Sequence, residues 1–218
     1  MPFGTRTIHR ALLRTMDLDR TAHWDNVYET KAPNQVSWTQ DYPKTSFEII
    51  QSFELSKTSR IIDVGGGDSK LVDFLLDAGY EDITVLDISE KALVRAQKRL
   101  GDKASKVNWV VSDITTFKPN GTFDVWHDRA AFHFLTKTEH ISQYVALASS
   151  CVKDYLSVGT FSKQGPVNCS GLNISQYSEE ELVSVFSSGF HLLDSIIEDH
   201  KTPFDTLQNF LFCSFKKK

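Results

Sequence analysis

Short hydrophobic runs alternate with stretches of helical periodicity from residue 59 onward. Each run predicts a buried β-strand, because strands covered on both faces are short and almost entirely apolar. The runs lie at residues 60–64, 83–86, 107–111, 123–127 and 155–161. Between them, apolar residues recur three and four positions apart, which predicts amphipathic helices, as over 71–78, 92–100 and 138–152. Alternating strands and helices predict an α/β fold with a doubly wound, mostly parallel sheet.

The end of the chain departs from this alternation. Residues 191–197 and 210–215 predict two successive strands with no helix between them, so we expect an antiparallel strand at the edge of the sheet. The connection at 200–208 contains Pro203 and is too long for a tight turn. Before these strands, Ser178 and Glu181 have the spacing of a capping box, which predicts the start of a further helix.

Residues 1–58 predict a helical N-terminal extension or lid, and residues 59–218 a ligand-binding domain, the two forming one structural domain. Within the first 16 residues, Arg6, Arg10 and Arg14 recur at helical spacing and no acidic residue precedes Asp17. This pattern is compatible with an organelle-targeting helix, and a surface helix over the domain is the favoured alternative.

Composition narrows the class of protein. Hydrophobic residues make up 40% of the chain and the formal net charge is −4, which argues against a nucleic-acid substrate because phosphate binding needs a basic face. The cysteines are scattered without metal-ligand spacing and favour a reducing compartment, so we expect a cytoplasmic protein without a metal. No apolar stretch is long enough to span a membrane, and nothing in the sequence indicates an oligomeric state.

The first predicted strand ends in Asp63-Val64-Gly65-Gly66-Gly67-Asp68-Ser69. Ligands of open α/β sheets bind at the carboxyl ends of strands, and glycines there let the backbone approach them closely. A P-loop sequence is absent, and Lys70 stands where a nicotinamide-binding loop has its third glycine. Asp63, immediately before the glycines, suits a cationic ligand better than a pyrophosphate. S-adenosylmethionine (SAM), which carries an ammonium, a sulfonium and a carboxylate, fits this loop best.

Two further acidic residues end successive strands. Asp87 follows the second strand and is placed to accept hydrogen bonds from both ribose hydroxyls of a nucleoside. Asp113 follows the third strand and is placed to accept from an adenine amino group, with Ile88 and Ile114 on either side of the ring. Each acid alone also fits a strand-end cap, but three in succession favour a nucleoside site.

The segments 61–69, 83–89, 110–114 and 123–128 resemble the ordered motifs of class I (seven-β-strand) SAM-dependent methyltransferases, and the resemblance spans residues 20–215. It implies a Rossmann-like seven-stranded sheet with a reversed last strand. It further implies that the loop holds the methionine part of SAM, and that the later acids hold the ribose and the adenine. The residues so assigned are Asp63, Gly65, Gly66, Gly67, Asp87, Ile88, Asp113 and Ile114. Ser69 replaces the usual last glycine, and Asp68 adds negative charge near the carboxylate of SAM.

The segment after the fourth strand is expected to face the transferred methyl. Asp128-Arg129-Ala130 is similar to the Asp-Lys-Gly element of lysine methyltransferases that act on elongation factor 1-alpha and citrate synthase, and the chain also resembles small bacterial methyltransferases. Asp128 is predicted to orient the SAM ammonium or an acceptor amine, and Arg129 to contact the acceptor. His127 and His133 are candidate general bases because histidine titrates near neutrality, with a structural role as the alternative for each.

Aromatic residues of the extension supply candidate lid contacts. Trp38 is predicted to pack against SAM, because aromatic faces attract cations such as a sulfonium. Trp24 and Tyr28 are four residues apart and therefore lie on one face of a helix. They are predicted to contact the acceptor, with packing of the helix onto the core as the alternative. His200, after the sixth strand, is a further candidate acceptor contact, with a solvated loop as the alternative.

These residues predict a SAM-dependent methyltransferase, with S-adenosylhomocysteine (SAH) as product. The acceptor is an N, O or S atom, and a small molecule is slightly favoured because the chain has few insertions for docking a macromolecule. The alternatives are a protein-lysine methyltransferase and a non-catalytic SAM-binding partner protein. A nicotinamide oxidoreductase is disfavoured by the loop. Methyl transfer from a sulfonium relies mainly on positioning and exclusion of water, so no metal is needed.

Overall fold

The computed structural model describes residues 20–218. The Arg-containing segment at residues 1–16 lies outside this range. Helical residues 20–30 (α1) and a 3-10 turn at Pro33–Gln35 lead to helix α2, Lys44–Ser52. Helix α2 packs its buried Phe47 and Ile50 into the same core as the sheet, so the chain before residue 59 is joined to the rest of the fold.

The main sheet contains seven strands in the spatial order β3-β2-β1-β4-β5-β9-β8. Its members are β1 (Arg60–Val64), β2 (Asp82–Asp87), β3 (Val107–Val111), β4 (Phe123–Arg129), β5 (Val152–Phe161), β8 (Phe190–Lys201) and β9 (Leu207–Lys217). Strands β3, β2, β1, β4 and β5 are parallel to one another, whereas β9 is antiparallel to both β5 and β8. This confirms the predicted mostly parallel α/β sheet with an antiparallel last strand.

The last strand is not at the edge of the sheet, so the predicted edge position was wrong. Strand β9 lies between β5 and β8, and residues 210–215 within it are all buried. Strand β8 forms the edge instead and exposes most of its residues. The reason is the mostly apolar segment 210–215, in which Ser214 is the one polar residue, since a strand covered on both faces belongs inside a sheet. Both strands are also longer than predicted, which shortens their connection to residues 202–206.

Helices cover both faces of the sheet, as predicted. They are α3 (Leu71–Asp77), α4 (Glu90–Leu100), α5 (Thr138–Cys151) and α6 (Glu179–Phe186), besides α1 and α2. The predicted capping box at Ser178 and Glu181 starts α6. Trp126, Tyr144 and Phe186 anchor the core on one face, and a second core on the other face contains Leu75 and Leu93. Among the described helices, none is long and apolar enough to cross a membrane.

Two features of this fold position the site. The order of the strands reverses between β1 and β4, which are adjacent in space, and open α/β sheets bind ligands at such a switch point. A short hairpin follows β5 and consists of β6 (Asn168–Cys169) and β7 (Leu172–Asn173). Its turn contains Ser170 and Gly171, both with positive φ.

Candidate active site

A cavity of about 430 Å³ lies at the carboxyl ends of β1, β2 and β4. The glycine loop after β1 forms one side, and α1 together with parts of residues 33–43 covers it. Most of the predicted cofactor and acceptor residues line this cavity: Trp24, Tyr28, Trp38, Asp63, Gly65, Gly66, Asp87, Ile88, Asp113, Ile114, His127 and Arg129. Gly67, Asp128, His133 and His200 are not part of the lining.

The shape of the glycine loop explains its sequence. Gly65 and Gly67 have φ angles of +67° and +51°, a region that favours glycine because it lacks a Cβ. The Gly65 and Gly66 N–H groups donate to the Leu86 carbonyl at 2.7 and 3.2 Å, which fixes the loop to β2. A Cβ on Gly66 would lie 2.6 Å from Asp63 Oδ2, and one on Gly67 2.6 Å from the Tyr28 hydroxyl. The backbone of the glycine loop therefore lies close to both the Asp63 carboxylate and the Tyr28 hydroxyl of helix α1.

Asp63 and His127 form a buried pair across two parallel strands. They are register partners on β1 and β4, and His127 Nδ1 lies 2.7 Å from Asp63 Oδ1. A carboxylate at Nδ1 favours the tautomer with the proton on that nitrogen, which leaves the lone pair on Nε2. His127 Nε2 is buried and has no hydrogen-bond partner within the described chain. Because His127 lines the cavity, this arrangement is suited to accepting a proton from a bound molecule.

Asp87 is a buried carboxylate with an unusual protonation equilibrium. Burial, reinforced by the negative charges of Asp68 and Asp63, raises its pKa to about 7. Its Oδ1 accepts a hydrogen bond from the Ser89 N–H at 2.8 Å at the start of α4. A ligand that donates hydrogen bonds to this group would favour its ionised form.

Asp113 already has several partners. Its Oδ1 accepts hydrogen bonds from the Thr115 N–H at 2.8 Å and the Thr115 hydroxyl at 2.7 Å, and its Oδ2 pairs with Arg20 at 2.5 Å. The carboxylate thus caps the turn after β3 and joins it to α1. Its predicted contact with an adenine amino group would have to share these oxygens, whereas Ile88 and Ile114 line the cavity with apolar surface.

Asp128, predicted to contact SAM or the acceptor, lies outside the cavity lining. Side chains alternate between the two faces of a strand, so His127 and Arg129 line the cavity while Asp128 between them does not. Its Oδ1 accepts hydrogen bonds from the Ala131 and Phe132 N–H groups, both at 3.0 Å, and its Oδ2 accepts from the Tyr144 hydroxyl at 2.8 Å. Asp128 is therefore a positioning residue for the turn that follows β4.

His133, predicted as a candidate general base with a structural role as the alternative, also lies outside the cavity lining. The ring is fully buried between Phe134 and Phe161, outside the cavity lining, and its Nδ1 accepts a long hydrogen bond, 3.4 Å, from the Phe161 N–H. Burial, with the nearby charge of Arg129, lowers its pKa to about 3. His133 is therefore neutral at physiological pH and packs as part of the core.

An aromatic cluster forms the lid side of the cavity. The Trp24 ring centroid lies 5.7 Å from that of Trp38 and 5.1 Å from that of Phe134, and Tyr28 lies 6.3 Å from Trp38. Helix α1 is held at its C-terminal end by Arg95, which donates to the Tyr28 and Lys31 carbonyls. The lid residues predicted from the sequence therefore lie together at the cavity.

The segment around Trp38 is fastened to the strands beneath it. Arg129 Nη1 donates to the Trp38 carbonyl at 3.1 Å, and Gln40 Nε2 donates to Glu198 Oε1 at 3.2 Å. His200 Nε2 donates to the Ser37 carbonyl at 2.7 Å. His200, predicted as a further candidate acceptor contact, is not part of the cavity lining, because strand β8 extends through residue 200 and its ring bonds to the segment that carries Trp38.

Two features at the cavity were missed or misjudged from the sequence. Cys169 and Leu172 of the β6–β7 hairpin line the cavity, and the Ser-Gly pair at its turn was the available signal for that hairpin. The negative charge of Asp68 was expected to oppose SAM binding. It is paired with Arg95, whose Nη1 lies 3.3 Å from Asp68 Oδ2, so the loop carries a local counterion.

Comparisons with known proteins agree with this architecture. Residues 61–154 match the family described as methyltransferase domain. The eEF1A lysine and N-terminal methyltransferase of Mus musculus is 25% identical over 122 residues, which cover 55% of this chain and 17% of that protein. Its counterpart from Bos taurus is 23% identical over 108 residues, covering 49% and 15%. The chain thus spans less than a fifth of the length of these curated relatives.

Solved structures share the fold at low sequence identity. A SAM-dependent methyltransferase from Anabaena variabilis superposes with a TM-score of 0.73 at 12% identity, covering 93% of this chain and 95% of that one. The 1,6-didemethyltoxoflavin-N1-methyltransferase of Burkholderia thailandensis, solved with its substrate and SAH, gives a TM-score of 0.67 at 18% identity, covering 100% and 92%. Residues 61–154 therefore match a methyltransferase domain, and the described chain shares the fold of SAM-dependent methyltransferases of known structure.

Proposed function

We propose that the chain transfers the methyl group of SAM to a nucleophilic N, O or S atom of a small molecule bound in the cavity. The observation that carries this proposal is the Asp63–His127 pair, because His127 lines the cavity and its buried Nε2 has no hydrogen-bond partner within the described chain. Burying a basic nitrogen without a hydrogen-bond partner costs free energy, unless a bound ligand supplies that partner.

The residues at the cavity fit SAM. Gly66 and Gly67 leave no room for a Cβ, and the carboxylates of Asp63 and Asp87 suit a ligand with positive charge and donor hydroxyls. In this proposal the Asp63–glycine loop holds the methionine part, Asp87 the ribose, and Ile88 and Ile114 the adenine. SAM supplies an electrophilic methyl group on a sulfonium. Trp38 offers an aromatic face to that charge.

The protein contributes a proton acceptor and a dry, ordered site. His127 Nε2 takes the proton of the acceptor atom as the new bond to carbon forms, and Asp63 stabilises the resulting imidazolium through Nδ1. Trp24, Trp38 and Phe134 exclude water from the cavity, which favours a displacement between two aligned partners.

A small acceptor is supported by the way the cavity is closed. Helix α1 and parts of residues 33–43 cover it, and Cys169 and Leu172 add to its wall. The positive charge of Arg129 in the lining also disfavours a lysine ammonium. A protein lysine is the second candidate, because the mouse relative is by name an eEF1A lysine methyltransferase and because aromatic rings such as Trp24 and Trp38 attract an ammonium. The case for a non-catalytic partner protein rested on Asp68 and Ser69, and Asp68 has its own counterion.

Label transfer tests this proposal. The purified chain is incubated with methyl-tritiated SAM and a cell extract separated into metabolite and protein fractions. We expect label in the metabolite fraction, and loss of that label in His127→Gln. His191→Gln is the matched control, because His191 is exposed on β8 away from the cavity. Label in the protein fraction alone would refute the small acceptor, and no SAH from either fraction would refute catalysis.

A further inference from the structure

Arg129 is a cavity residue with an incomplete set of partners. It ends β4 two positions after His127, so both side chains lie on the same face of the strand and both line the cavity. Its Nη1 donates to the Trp38 carbonyl at 3.1 Å, and its guanidinium carbon lies 4.6 Å from the centroid of the Phe210 ring. These two contacts fix the plane of the guanidinium.

The other edge of the guanidinium has no partner among the described residues. Arg129 Nε and Nη2 are buried and make no hydrogen bond within residues 20–218. These two nitrogens form the side of an arginine that donates two parallel hydrogen bonds to one carboxylate. Leaving charged donors buried without acceptors costs free energy, so the protein has a reason to bind an acceptor there.

The nearby groups of the described chain do not supply that acceptor. Asp63 is engaged by His127, and Glu198 Oε1 accepts from Gln40 while its Oε2 has no hydrogen-bond partner within residues 20–218. Burial raises the pKa of the Cys169 thiol to about 11, so it is neutral at physiological pH. Burial lowers the pKa of Arg129 to about 10, which leaves the guanidinium charged. The charged guanidinium of Arg129 therefore lies in a cavity lining that also contains the apolar residues Ala130, Phe134 and Leu172.

We propose that the methyl acceptor is an apolar molecule carrying a carboxylate or similar oxyanion, which Arg129 binds through Nε and Nη2. This inference rests on the proposed function, because it assigns the substrate class of the same site. Residues two apart in a strand are about 7 Å apart between Cα atoms. The anion and the atom that receives the methyl are therefore expected at opposite ends of a compact molecule, with the nucleophile toward His127.

The carboxylate of SAM is the other source of an oxyanion, and a direct test separates the two. Full-length protein saturated with SAH is titrated calorimetrically with benzoate, 4-hydroxybenzoate and phenylacetate, and with the matching amides, which have similar size and no charge. At least one carboxylate should bind about tenfold or more tightly than its amide, as expected for paired charge-assisted hydrogen bonds. In Arg129→Met the preference for the carboxylate over the amide should vanish. Arg129→Lys should restore part of this preference, because lysine returns the positive charge without the paired N–H donors of a guanidinium.

Separate titrations with SAH and with 5′-methylthioadenosine, which lacks the amino-acid part, complete the test. Arg129→Met should keep the wild-type ratio of the two affinities, because loss of its hydrogen bond to the Trp38 carbonyl would weaken both ligands alike. Equal binding of carboxylates and amides, or no binding by either, would overturn the proposal, as would a preference that survives in Arg129→Met. Weaker SAH binding with unchanged 5′-methylthioadenosine binding would assign Arg129 to SAM instead. Failure of the proposed function is distinguishable, because it would appear as absence of label from the metabolite fraction in the tritiated-SAM experiment, a readout that is independent of these titrations. Glu198→Gln serves as a control that removes the neighbouring charge, and it should keep the carboxylate preference.

Discussion

With the ribose of SAM on Asp87, as proposed, the ionisation of Asp87 should make SAM binding dependent on pH, with a sign and size that follow from its surroundings. Its pKa is raised to about 7 by burial and by the charges of Asp68 and Asp63. Two ribose hydroxyls are donors, so the ligand binds the ionised carboxylate and pulls its pKa down. The ionised fraction is about 9% at pH 6 and about 91% at pH 8, so SAH affinity should rise about tenfold over this range, or about 1.4 kcal/mol.

Isothermal titration calorimetry measures this directly. Titrations of SAH at pH 6 in buffers with different ionisation enthalpies should show close to one proton released per ligand bound, falling toward zero at pH 8. Asp87→Asn should bind more weakly at every pH and should remove the slope. Affinity that is flat between pH 6 and 8, or a slope that persists in Asp87→Asn, would refute the reasoning.

Because the pKa of Asp87 is raised in the folded protein, the ligand-free protein should also lose stability as pH rises from the ordinary aspartate pKa of 3.8 through about 7.

Three substitutions test other parts of the site and fold. His127→Gln should lower kcat by about 10²–10⁴-fold while SAH affinity stays unchanged, and an unaltered pH profile of kcat would make His127 structural. Asp128→Ala should lower the free energy of unfolding by roughly 3 kcal/mol in denaturant titrations, because it leaves two N–H groups and the Tyr144 hydroxyl without their acceptor. Asp128→Asn should lower the free energy of unfolding by less. Equal losses in the two variants would contradict the positioning role of Asp128. Gly67→Ala should weaken SAH binding about tenfold, because its Cβ would meet the Tyr28 hydroxyl. Gly101→Ala, which has a similar φ of +57° but no atom within 4 Å, should affect stability alone.

The fold was largely predictable because its signals are local. Apolar runs, helical spacing and the capping box at Ser178 each depend on neighbouring residues, and they gave the order of strands and helices. The place of β9 was not predictable in this way, because which strand it joins depends on pairing with β5 over a long separation. The unbroken burial of residues 210–215 was a clue to an interior position, and the expectation of an edge strand overlooked it.

The site was predictable where residues follow strand ends and less so where side-chain direction matters. Asp63, Asp87 and His127 line the cavity because parallel strands end at one edge of the sheet. Strand alternation separates Asp128 from its two neighbours once β4 is known to extend to Arg129, two residues beyond the predicted strand. The burial of His133 and the pairing of Asp68 with Arg95 arise from contacts between distant segments, which spacing along the chain does not encode.

The fastening of the Trp38 segment gives the lid a physical basis. Side chains from β4 and β8 bond to the backbone carbonyls of residues 37 and 38, so the aromatic wall is tied to the sheet that carries His127 and Arg129. In the proposed function, an acceptor bound by Arg129 would therefore act on the position of Trp38 through this hydrogen bond.

The proposed mechanism depends above all on SAM binding where β1, β2 and β4 end, with the ribose on Asp87 and the methionine part along the Asp63–glycine loop. A crystal structure of the full chain with SAH tests this placement most directly. We expect both ribose hydroxyls within hydrogen-bond distance of Asp87 and the sulfur near His127 and Trp38. An adenosine bound elsewhere, or density for SAH outside this cavity, would contradict it.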